Sequence, residues 1–159
     1  MTGLIGPALR IRTAAPADLP DLRRVFRTAS LSNPQDAPLL LAHPQFLHFT
    51  GDAVADGRTR VAENGRQGAD GILGFATVAL GDNGDGELED LFVDPQWHRR
   101  GVARGLIEDA VAELRESGRG CLWVVGNPQA LPFYWAVGFI GGDSVARDLG
   151  AGIRLHLDV

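Results

Sequence analysis

The chain has 159 residues, 45% of them hydrophobic and 22% charged, which is the composition of one ordinary globular domain rather than two. Twenty acidic residues against fifteen basic ones leave a formal charge of -5, a balance that disfavours binding driven by nucleic-acid phosphates. Every basic residue is Arg, so the chain offers neither a Schiff-base lysine nor the lysine of a P-loop, and pyridoxal and Walker-type chemistry fall away.

Cys121 is the only cysteine, which leaves no pair for an internal disulfide or a zinc-binding CxxC. The opening MTGLIGPALRIRTA lacks an apolar stretch of signal-peptide length. No window approaches the ~20 apolar residues of a membrane span. A cytoplasmic protein with no membrane and no nucleic-acid partner is expected.

Alternation over Leu9 to Thr13 predicts a short edge strand. Asp18 is placed to cap a helix in which Leu19, Leu22, Val25 and Phe26 form one face, ending near Ser30. From Ser30 to Gly57 prolines 34, 38 and 44 allow one or two short helices, with His43 and His48 among them. Their spacing of five does not suit two metal ligands on one helical face, and no metal is expected.

Thr59 to Glu63, Ile72 to Leu80 and Glu87 to Val93 read as three strands of an antiparallel meander, separated by NGRQGADG and GDNGDG. A helix follows from about Gly101 to Ser117, with Leu106, Ile107, Ala110, Val111 and Leu114 on its buried face. Cys121 to Val125 is a continuous apolar run, read as a strand buried on both faces with Cys121 in the core. Ala130 to Val137 is a short helix, and Phe139 to Val145 with Ile153 to Val159 make a last hairpin. Trp97, Trp123 and Trp135 are taken as packing residues. A helix joining one strand to the next implies a parallel pair inside a mixed, mostly antiparallel α/β sheet flanked by helices.

Chemistry concentrates in LEDLFVDPQWHRRGVARGLIEDAV, residues 88 to 111. A strand turns here into a helix, and free N–H groups at the helix start, with the positive end of its dipole, suit a phosphate or pyrophosphate. Arg99, Arg100 and Arg104 add charge. Close packing of the helix on the sheet would alone explain small residues at 101 and 105.

The segment resembles the acyl-CoA signature of the GNAT superfamily, the Gcn-related N-acetyltransferases. Val93, Asp94 and Pro95 match its Val-x-Pro strand end, and His98, Arg99, Arg100, Gly101, Val102 and Ala103 match Gln/Arg-x-x-Gly-x-Gly/Ala. His98 departs from the pattern, which weakens one side-chain contact. Asn127, Ala130, Phe133, Tyr134, Gly138 and Phe139 resemble a second block of the same family, in the correct order. The element order matches from end to end, so the whole chain reads as a single GNAT domain of residues 1–159.

The resemblance implies acetyl-CoA as co-substrate, its pyrophosphate on the backbone of residues 99 to 104 with His98 beside it, and its pantetheine arm along Leu91, Phe92 and Val93. Asn127 and Phe133 join this cofactor set. It further implies direct attack of an amine on the thioester, with Tyr134 as general acid and Glu87 or Glu89 as the base. A bulge common at this strand leaves open whether those two glutamates share a face. The acceptor reads as a small-molecule primary amine, with protein N-termini or lysines, or a non-catalytic acyl-CoA sensor, as alternatives. Pairing of terminal strands in the family makes a homodimer a further expectation.

Overall fold

The computed structural model describes residues 8–64, 71–147 and 150–159. Most of the NGRQGADG turn and the tip of the last hairpin lie outside the described residues, as does the start of the opening segment. Seven strands form one sheet in the order β1-β2-β3-β4-β5-β7-β6. They are β1 (Leu9–Thr13), β2 (Thr59–Asn64), β3 (Ile72–Leu80), β4 (Gly86–Val93), β5 (Cys121–Gly126), β6 (Ile140–Arg147) and β7 (Gly150–Asp158). The pairs β1–β2, β2–β3, β5–β7 and β6–β7 are antiparallel, while β4–β5 is parallel, matching Gly86, Glu87 and Leu88 with Leu122, Trp123 and Val124.

The helices are α1 (Leu19–Leu31), α2 (Ala37–Ala42), α3 (Asp52–Ala55), α4 (Val102–Glu116) and α5 (Leu131–Ala136), with short 3-10 turns between them. Packing separates two compact units: residues up to Thr77 with Asp90–Ile107, and Val78–Glu89 with Glu108–Val159. In the first, Leu22, Val25, Val61, Ile72 and Phe75 make a closed core, against which Phe26, Phe49 and Phe92 pack from its edge. Phe92 meets Phe26 edge-on at 4.8 Å and Phe75 at 5.6 Å, which fixes the end of β4 on this core. In the second, Leu122, Val124, Leu155 and Phe139 are buried, as are Ala110, Val111 and Leu114 of α4.

Three expectations change. Asp18 stands at the start of α1 but makes no side-chain cap there. Its carboxylate turns back to accept Ala15 N at 2.7 Å and two Arg12 donors at 2.8 and 3.0 Å, because an available guanidinium outcompetes a backbone amide. β5 is not buried on both faces: Leu122, Val124 and Gly126 are buried, but Cys121, Trp123 and Val125 are only half-buried. Trp135 is 54% exposed and thus no core residue. Both His43 and His48 are exposed.

Candidate active site

β4 ends at Val93, and the chain turns through Asp94 and Pro95 into a 3-10 turn, Pro95–Trp97. Asp94 Oδ1 accepts Gln96 N at 3.0 Å and so caps that turn, while Asp94 N donates to Leu73 O at 2.8 Å. The other carboxylate oxygen accepts from Arg24 Nη1 at 3.0 Å, and Arg24 Nη2 donates to Ile72 O at 3.2 Å. A single side chain on α1 thereby ties the β3 start and the turn after β4 together. Sequence patterning gave no hint of it, because Arg24 looks like any exposed helical arginine.

His98 Nε2 lies 3.1 Å from Val93 O, so the imidazole folds back on the strand end. The Arg100 guanidinium lies 5.0 Å above the Trp97 ring. Arg99 has φ +62° and Gly101 φ +85°, two positive values almost in succession just before α4 begins. Arg99 carries that conformation at a steric cost, and non-glycine residues of this kind cluster at functional turns. The first bond of the helix is Gly105 N to Gly101 O at 2.9 Å, which leaves the amides before it without intrahelical acceptors.

The two small residues have different jobs. A Cβ on Gly105 would lie 2.8 Å from Leu9 Cδ1, so this glycine is needed for packing. A Cβ on Gly101 would meet nothing within 4 Å, so its φ demands glycine while its surroundings stay open. Arg99, Arg100 and Arg104 are exposed around that opening, Ala103 is half-buried and Val102 is anchored in the core.

In the second unit Glu87 and Glu89 differ sharply. Glu89 is exposed, whereas Glu87 is half-buried, opposite Trp123 in the parallel ladder. Glu87 Oε1 lies 3.6 Å from Arg154 Nη1, and Oε2 is buried with no hydrogen-bond partner. Both groups line a hollow of about 310 Å³ that also contains Asp82, Asn83, Asp85 and Trp123. Arg154 was not foreseen in the sequence: its guanidinium carbon lies 4.4 Å above the Trp123 ring, and His156 packs at 4.8 Å on the same indole.

Tyr134 on α5 is 7% exposed, wedged at 5.3 Å from both Phe133 and Phe139. Burial pushes its phenol up to about 12, with a smaller opposing pull from Arg147. Asn127 Oδ1 accepts Gln129 N at 3.0 Å and caps the 3-10 turn Pro128–Ala130, placing that turn directly before α5. Burial also raises the Cys121 thiol, which keeps it protonated.

A family model described as the acetyltransferase (GNAT) domain matches residues 55–140, over half of the chain. The chain belongs to the GNAT family. Among solved structures it is similar to a GCN5-related N-acetyltransferase from Rhodopseudomonas palustris, at 22% identity and a TM-score of 0.71, covering 100% of this chain and 99% of that one. PaiA N-acetyltransferase from Thermoplasma acidophilum, solved with coenzyme A, gives 15% and 0.69, with 96% and 99% covered. The ribosomal-protein-S18-alanine N-acetyltransferase of Escherichia coli gives 18% and 0.67, with 96% and 94% covered. A search of curated proteins returns no match.

These likenesses bear out the GNAT fold, and membership makes the chain an acetyl-CoA-dependent acetyltransferase. The GNAT match spans β3, β4, the loop before α4 and α5, the stretches in which both sequence blocks were recognised. Among the described residues no helix is long and apolar enough to cross a membrane, and no group of three or more His, Cys, Asp or Glu is placed to hold a metal ion.

Proposed function

We propose that this GNAT enzyme acetylates the primary amine of a small molecule, by direct attack within a ternary complex, as a single cytoplasmic domain. The observation that supports this reading is the open hollow of about 310 Å³ beside Glu87, at the low end of the size range of small-ligand pockets.

Acetyl-CoA supplies an acyl thioester whose C–S bond breaks as the new C–N bond to the acceptor forms. The loop before α4 fits its pyrophosphate: Gly101 leaves open space, the first-turn amides lack acceptors, and Arg99, Arg100 and Arg104 add charge. Leu91, Phe92 and Val93 offer backbone groups to the pantetheine arm, and His98 orders the end of that strand. Val102 and Ala103 hold the helix start in place, and the family pattern adds Asn127 and Phe133 to the cofactor set.

An attacking ammonium must first lose a proton. Glu87 lines the hollow and takes that proton directly or through water; exposed Glu89 is the second candidate. The departing sulfur needs a donor. Tyr134, protonated throughout the neutral range, serves by hydrogen bonding to the developing thiolate.

The test is CoA-thiol release with small amines, including polyamines, aminoglycosides and amino acids, beside short peptides with free N-termini or lysines. Turnover of small amines at higher kcat/KM than the peptides is expected. Turnover of peptides alone would overturn the reading. In the same assay Glu87→Gln depresses kcat/KM most at low pH, where neutral amine is scarcest; a pH profile superimposable on that of the parent would eliminate Glu87.

A further inference from the structure

We infer that the acceptor carries a carboxylate near its amine, and that Arg154 binds this carboxylate while Glu87 faces the amine. The inference rests on the small-amine reading above and narrows it to one class, the amino acids and their close analogues.

It starts from which charged groups of the hollow are already engaged. Asp85 accepts from the Trp123 indole at 3.1 Å and from Asn83 Nδ2 at 3.1 Å, so its carboxylate is held in place. Asp82 is exposed at the rim. Glu87 and Arg154 stand in the hollow as an oppositely charged pair that shares no hydrogen bond. Glu87 has its buried Oε2 without a partner. The Arg154 guanidinium, among the described residues, makes no hydrogen bond: its approach to Glu87 is 3.6 Å, too long for one.

The indole explains why Arg154 stays available. With its carbon 4.4 Å above the Trp123 ring, the guanidinium is held by the indole through a cation–π contact that engages none of its N–H donors in a hydrogen bond. The fork of those donors matches a carboxylate in two parallel bonds. A donor fork and an acceptor oxygen in one hollow, of opposite charge, are the complement of a molecule with an ammonium and a carboxylate a few bonds apart. A purely cationic amine would offer the Arg154 guanidinium no carboxylate to bind.

The experiment uses the full chain with acetyl-CoA and three matched probes per side chain: an amino acid, its carboxamide and the decarboxylated amine, such as leucine, leucinamide and 3-methylbutylamine. Rates are corrected for the fraction of neutral amine. The carboxylate should exceed the carboxamide in kcat/KM by at least about tenfold. In Arg154→Ala the ratio should fall to about one, and Arg154→Lys should restore part of it. A parent ratio near one overturns the inference without any variant and leaves the small-amine reading standing, as does a ratio that survives Arg154→Ala. If none of the three probes is acetylated while peptides are, both fall.

Discussion

A Cβ on Gly126 would lie 2.7 Å from Cε2 of Tyr134 and 3.2 Å from its Cδ2, so the last residue of β5 is a bare glycine because the phenol ring rests on it. The contact fixes where the hydroxyl points. Gly126→Ala should therefore displace the ring and lower kcat by about tenfold or more, in the same direction as Tyr134→Phe, for which a loss of about 10²-fold is expected. Both variants should keep the CoA affinity of the parent. Since burial lifts the phenol to about 12, no alkaline fall in kcat from its ionisation should appear below pH 10, where an exposed tyrosine would be half ionised. Unchanged kcat in Tyr134→Phe would make the ring purely structural.

Arg24 braces the turn that leads into the loop proposed to hold the cofactor. Its bonds to Asp94 and to Ile72 O hold the turn from which the loop departs. Arg24→Ala should raise KM for acetyl-CoA by about tenfold while kcat at saturation changes much less, the pattern of lost ground-state positioning. Arg24→Lys, which can reach one partner but not fork to both, should recover part of the loss. A fall in kcat with KM unchanged would show that the tether does not serve cofactor binding.

The Arg12–Asp18 pair gives a prediction in pH. Hydrogen bonds from Arg12 hold the Asp18 carboxyl below the usual carboxylate range, against a smaller desolvation effect. The folded state thus binds that proton less readily than the unfolded chain. The stabilisation is complete above the ordinary carboxylate value of ~4 and disappears as pH falls through the lowered folded value. Asp18→Asn should cost about 1 kcal/mol at pH 7, a modest figure because the Arg12 side chain is 34% exposed. Urea unfolding at pH 7 and pH 2.5 checks it: the gap between variant and parent should shrink at the lower pH, and an equal gap would refute the linkage.

Much of the architecture was readable because each element carried its own period. Leu106, Ile107, Ala110, Val111 and Leu114 predicted the buried face of α4, and all are buried. Position in the sheet was less readable. The last two strands read as a hairpin without a neighbour assigned to it; β7 is the one beside β5, and that order brings Arg154 and His156 onto Trp123. The apolar run of β5 hid this because Trp123 is covered on one side by polar side chains rather than by a helix. The Arg24–Asp94 bond joins residues 70 positions apart and leaves no local pattern. Gly101, by contrast, was legible, since a turn into a helix start that needs positive φ selects glycine.

The open loop before α4 is the proposed seat of the acetyl-CoA pyrophosphate. Titration calorimetry of coenzyme A against the parent and Gly101→Asp tests it most directly. Aspartate places a carboxylate in the space that is free above Gly101 and also strains the φ of +85° there. Gly101→Ala, which shares the strain and lacks the charge, separates the two effects. Measurable binding is expected in the parent, weaker binding in Gly101→Ala, and a further loss of at least about tenfold in Gly101→Asp. Undiminished affinity in a folded Gly101→Asp protein would contradict it.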